Sequence, residues 1–132
     1  EVVPRWQRGT KAFVMQYKVF DDATAATAGD GKLILFIIPE FDRLVLVKVY
    51  AYVSGASSGG ALSIQVRNVT NSVDMLSTAI SIDQSEFSSI TAATQPVINR
   101  TYATIHSGDL IAIDVDSAGT SAEGLGVVLL FQ

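Results

Sequence analysis

The amino-acid sequence predicts an all-β domain, an antiparallel sandwich or barrel of about eight short strands. Three observations predict it. Apolar residues recur with a period of two along most of the chain. No segment sustains an apolar stripe of helical period for three turns, and the many Val, Ile and Thr residues suit a pleated surface better than a helix. Clusters of Gly, Ser, Asp and Asn break the pattern roughly every ten residues, as turns between strands do.

The elements follow in order. In Lys11 to Phe20, Phe13, Met15, Tyr17 and Val19 share one face, and Gln16 and Lys18 the other. Asp22 to Ala28, followed by Gly29-Asp30-Gly31, is expected to be a loop. Leu33 to Ile38 is a short apolar strand. In Leu44 to Val53, the residues Val45, Val47, Val49, Ala51 and Val53 form the apolar face, and Lys48, Tyr50 and Tyr52 the amphipathic one. Ser54 to Gly60 is expected to be a flexible connection. Leu62, Ile64 and Val66 alternate with Ser63, Gln65 and Arg67. Met75 to Thr78, Ala79 to Ile82 and Pro96 to Thr101 are shorter candidates. Ile111, Ile113 and Val115 alternate with Ala112, Asp114 and Asp116, which places both aspartates on a solvated outer face. After the small-residue connection Ser117 to Gly124, Leu125, Val127, Leu129 and Phe131 complete the last inward face.

At 132 residues the chain has room for one domain, here residues 11–132, preceded by an extended arm over residues 1–10. With 48% hydrophobic and 17% charged residues it is too apolar for a disordered chain. Its longest apolar run, Leu33 to Pro39, falls far short of the about 20 residues of a membrane-spanning helix. Glu1-Val2-Val3-Pro4-Arg5 shows no signal-peptide pattern. Cysteine is absent, which excludes disulfides, thiolate metal sites and cysteine nucleophiles. The net charge of −4 lacks the basic footprint of a nucleic-acid binder. Arg5, Arg8, Lys11 and Lys18 are nevertheless gathered near the start, and no Lys or Arg follows Arg100. This is either a chance clustering of surface charge or a basic segment that docks on an acidic neighbour. Trp6 within it is an anchor type, since Trp and Arg often dominate interface energies.

Two runs are apolar on both faces, Leu33 to Ile38 and Val127 to Phe131. A strand in a two-layer sandwich needs only one apolar face. Either loops cover the second face or another subunit does, because bare apolar strands invite aggregation.

Chemistry-bearing patterns are weak. His106 is the one histidine, and with Ser107 and Asp109 it lies on a single expected turn, whereas triads are assembled from distant segments. Asp114 and Asp116, with Glu123, would make at most a weak calcium site without the twelve-residue loop pattern. Asn68-Val69-Thr70 and Asn99-Arg100-Thr101 match the glycosylation triplet, which matters only in a eukaryotic secretory route. No catalytic residue, cofactor or metal is expected. Tyr50 and Tyr52, beside Lys48, either cap the core or offer two rings to a sugar or a protein partner.

The last 26 residues carry a more particular layout. Ser107-Gly108-Asp109 opens a strand, Asp116-Ser117-Ala118-Gly119-Thr120-Ser121-Ala122-Glu123-Gly124-Leu125 follows, and a strand from Val127 to Phe131 closes. This resembles the closing hairpin of small β-rich structural proteins of tailed bacteriophages. The resemblance extends loosely over residues 33 to 132 and does not include the arm. It implies a jelly-roll-like sandwich in a trimer or other symmetric homo-oligomer, with no catalytic residues. It further implies a place on the virion: a capsid decoration or cement protein bound to the major capsid protein, or alternatively a fibre or tail tip that binds a host-surface glycan. The expected interface residues are Arg5, Trp6, Arg8, Lys11, Tyr50 and Tyr52, with neither nucleic acid nor membrane as partner.

Overall fold

The computed structural model describes residues 12–132, so the arm over residues 1–10 and Lys11 lie outside the described residues. Among the described residues ten strands form: β1 Phe13–Lys18, β2 Gly29–Phe36, β3 Leu46–Tyr52, β4 Leu62–Asn68, β5 Val73–Asp74, β6 Leu76–Thr78, β7 Ile80–Ile82, β8 Val97–Ile98, β9 Leu110–Ala118 and β10 Gly126–Phe131. The helical content is two single 3-10 turns, Pro39–Phe41 and Ser89–Thr91.

The strands are shared between two main antiparallel sheets. The first has the order β1-β10-β3. The second has the order β2-β9-β4, with β5 and β7 both on the outer edge of β4. A small pair, β6-β8, stands beside them. The first four strands alternate between the main sheets, and the last two return to pair with them from the other end of the sequence. This is the winding of a jelly roll, two Greek keys interleaved into one sandwich. The expected antiparallel, jelly-roll-like sandwich is therefore what the chain forms.

The core lies between the sheets. β4 supplies Leu62, Ile64 and Val66, β9 supplies Ile111, Ile113 and Val115, and β10 supplies Val127, Leu129 and Phe131, all buried. These are the alternating sets that the period of two marks out. Met75, Ile80, Ile82 and Ile105 close the side near β6 and β7. The stretch from β5 to β7 follows β4 as one interrupted edge. At the interruption Gln65 does the work of a backbone pair: its Nε2 donates to Leu76 O and its Oε1 accepts from Leu76 N, both at 3.1 Å.

Three expectations change. In β3 a bulge opposite Leu130 and Phe131 shifts the register, so Leu46 turns inward and Val45 outward. A bulge adds one residue to one strand, which reverses the facing of everything before it. In β2 the strand starts at Gly29 rather than Leu33, because Gly29 to Lys32 form a second irregularity against β9. Gly31, at φ 64°, holds its N–H 2.7 Å from Asp114 Oδ1, a backbone conformation that glycine adopts without strain. The connection from Ser54 to Gly60 is tied down rather than free. Ser58 N donates to Thr120 O, and Ser54 N and Gly55 N both donate to Glu123 O. Asn68 is wholly buried and its amide is engaged with Asp109, so the first glycosylation triplet is not presented to solvent.

Candidate interaction surface

The two doubly apolar runs meet different fates. β10 is the middle strand of the first sheet. Its outward residues Val128 and Leu130 are flanked on both sides, by Gln16 and Tyr50 and by Val14 and Lys48, and stay half-buried. β2 is the last strand of the second sheet. Ile34, Phe36 and Ile38 project from its outer face at 49%, 59% and 43% exposure, and Leu110 of β9 lies beside Phe36. This row is an apolar feature that the edge strand leaves open among the described residues. The run was visible in the sequence, but its exposure was not, because that depends on which strand sits at the edge.

The tyrosines lie on the outer face of the first sheet as expected, but with different surroundings. Tyr52 lies over Gly126 of β10, so closely that a Cβ on Gly126 would fall inside its ring. Lys18 Nζ sits 4.8 Å from the ring centroid, donates to Gly124 O at 2.8 Å and pairs with Asp22 at 2.7 Å. Tyr52 is thus packed as a cover over β10. Tyr50 is more open and stands at a groove of about 400 Å³ whose walls include Lys48, Ile90, Gln95, Pro96 and Ile98. A second cavity of about 220 Å³ continues it past Val47 and Ile98 towards Arg100. Of the six expected interface residues, Tyr50 and Tyr52 are neighbours on one face, and Arg5, Trp6, Arg8 and Lys11 lie outside the described residues.

The charged groups of the second sheet are more organised than alternation alone indicates. Asp114 is buried rather than solvated. Arg67 of β4 grips it with two bonds, Nε to Oδ2 at 2.7 Å and Nη2 to Oδ1 at 3.1 Å, and Gly31 N adds a third. A bidentate guanidinium–carboxylate pair is among the stronger polar contacts a protein makes. The hydrogen bonds it donates to Asp114 hold the Arg67 guanidinium more firmly protonated than usual. Asp116, two residues on, has a pKa raised by partial burial first, and then by the charges of Asp114, Asp30 and Asp74. Glu123 belongs to another place altogether, where its backbone bridges Ala25 and Gly55. Asp114, Asp116 and Glu123 therefore do not gather round one cation.

His106 and Asp109 are also occupied locally. Asp109 Oδ2 accepts from His106 N and from Asn68 Nδ2, both at 3.0 Å, while His106 Nδ1 stands 4.0 Å away. The carboxylate closes a turn, as Asp side chains commonly do. The chain matches no known family model and no curated protein.

Proposed function

We propose that this chain is a virion structural protein, a capsid decoration or cement protein that stabilises a phage head through subunit interfaces. One observation carries the reading: an edge strand that presents a row of large apolar side chains, Ile34, Phe36 and Ile38, to the outside. A folded protein that keeps such a strand bare is at risk of aggregation, so the row is best explained as a surface that a neighbour covers. Two further points support it. The layout of residues 107–131 resembles the closing hairpin of phage structural proteins, and jelly rolls recur in capsid domains, a fold-level analogy that also extends to lectins. His106 and Asp109 serve a turn rather than a reactive centre, which suits an assembly part better than an enzyme. In this reading the major capsid protein is the partner, and Arg5, Trp6, Arg8 and Lys11 anchor the arm to the shell.

The experiment is co-sedimentation with phage capsids stripped of their outer proteins. The full chain is expected to coat them, and a chain lacking residues 1–10 is expected to keep its circular dichroism spectrum but lose binding. Equal binding by both would overturn the anchoring arm, and no binding by either would overturn the capsid role.

The groove beside Tyr50 favours a second reading, a fibre or tail-tip module that binds a host-surface glycan. One aromatic ring with Lys48 and Gln95 at hand can stack and hydrogen-bond a sugar. Glycan-array binding that is lost in Tyr50→Ala would replace the capsid reading with this one.

A further inference from the structure

We propose that the groove beside Tyr50 takes an acidic saccharide, a linear chain of carboxylate-bearing sugars held by Lys48 and Arg100. This rests on the glycan reading of that groove and adds the class of sugar to it. It does not depend on the capsid role.

The walls set the size and the sign of the ligand. The cavity of about 400 Å³ at Tyr50 and the one of about 220 Å³ at Arg100 share Val47 and Ile98 as lining, so together they form a trough along β3. Such volumes are those of small-ligand sites, and two compartments in series suit two consecutive sugar rings. Lys48 stands in the first compartment and Arg100 in the second, and no Asp or Glu lines either of them among the described residues. The chain has thirteen acidic residues against nine basic ones, so the trough is a local inversion of its charge. Neither cation is engaged by a carboxylate elsewhere among the described residues, where Lys18, Arg43, Arg67 and His106 stand beside the aspartates. Both side chains are exposed. A guanidinium holds a carboxylate with two parallel bonds, and an ammonium adds a compact point charge.

The shape favours a sugar over an acidic peptide. An added peptide strand gains affinity from a run of backbone bonds along a sheet edge. The edge of β3 is closed at both ends of the trough. Leu46 N donates to Ala103 O at 2.9 Å, and Ala51 N donates to Ser89 Oγ at 3.0 Å. Between them lie Val47 to Val49, and Val47 is the bulged residue with no opposite on β10. That span is too short for a ladder. The trough offers a ring and short apolar walls instead, Tyr50 with Ile90 and Pro96, against which the C–H face of a sugar can lie. Gln95 Nε2 donates to Ser89 O, Ile90 O and Ala92 O, which pins the turn that forms this wall. Its Oε1 remains to accept from a sugar hydroxyl.

The test is isothermal titration calorimetry on the intact chain. Trigalacturonic acid is the acidic probe, its methyl ester the neutral one and a glutamate hexapeptide the anion without sugar. The acid is expected to bind about ten-fold or more tightly than either of the others. Lys48→Gln and Arg100→Gln are each expected to weaken the acid about ten-fold, the size of one lost hydrogen bond to a charged group, and so to bring it down towards the ester. Tyr50→Ala is expected to weaken both sugars, and added salt to weaken the acid. Circular dichroism checks that each variant is folded. Equal affinity for acid and ester, lost together in Tyr50→Ala, would overturn the acidic class and leave the glycan reading standing. Binding of the acid that ignores Lys48, Arg100 and Tyr50 alike would overturn both. Silence towards both sugars and towards every glycan on an array would do the same. A hexapeptide that binds as tightly as the acid would overturn the sugar in favour of an acidic peptide.

Discussion

β10 and β2 are built from the same kind of residues and end in opposite surroundings. In β10, Val128 has Tyr50 on one side and Gln16 on the other, and Leu130 has Lys48 and Val14. A tyrosine ring and a lysine stem can lie over apolar neighbours while their polar ends stay wet. The second face of β10 is thereby half-covered without a third layer. In β2, Ile34 and Phe36 have cross-strand neighbours on the β9 side alone, Ala112 and Leu110. Alanine is too small to cover anything, and the other side is open. The difference lies in strand order and not in composition. A central strand is shielded by whatever long side chains flank it, and an edge strand of equal greasiness has such neighbours on one side alone among the described residues.

Four tests, using five substitutions, probe this contrast, beginning with the largest expected effect. Leu129→Ala removes an inward side chain from the middle of β10 and is expected to cost about 3 kcal/mol in urea denaturation, the usual range for a buried leucine. Arg67→Ala strips Asp114 of its cation beside the start of β2, and a loss of about 2 kcal/mol is expected from a buried carboxylate left without its countercharge. A loss below about 0.5 kcal/mol in the same measurement would deny the pair its role.

The third test sets the strands directly against each other. Val128→Ser is expected to lower stability by about 1 kcal/mol, whereas Phe36→Ser in dilute, monomeric protein is expected to stay within about 0.5 kcal/mol of the parent. Comparable losses at the two positions would mean that β2 is covered after all. The smallest effect belongs to Asp116. Its folded pKa is raised, so the stability linked to its proton is fully present below the unfolded value of about 4 and is lost as pH rises through the folded one. Asp116→Asn should therefore raise the thermal midpoint slightly near neutral pH and change it little near pH 3. A lower midpoint near neutrality would contradict the assigned direction.

Much of the sandwich could be read from alternation alone. Ile111, Ile113 and Val115, or Leu62, Ile64 and Val66, point inward because a pleated strand gives them no other choice once one face is buried. Where the reading went astray, the cause was non-local. Nothing around Val45 announces the bulge that turns it outward, since the partner strand imposes it from residues 130 and 131. Asp114 was rightly placed on an outer face, but the arginine that buries it comes from β4, 47 residues away in sequence. The interaction surface was half-legible for the same reason. The apolar run at Leu33 to Ile38 is plain in the sequence, but sequence does not say which strand closes the sheet. The close packing of Tyr52 on Gly126 is likewise a contact between strands that alternation does not announce.

The serine at position 57 has a wider consequence. Its buried hydroxyl reaches Gly60 O at 2.8 Å and Gly59 O at 3.0 Å, and it accepts from Thr120 N at 3.0 Å. One oxygen thus knots two connections between the sheets, one from each half of the chain. Their outline is dictated from beneath and by the bond from Ser58 N to Thr120 O, so it is the exposed side chains on top, and not the backbone, that are at liberty to vary. Changing Ser57 itself would untie both connections at once.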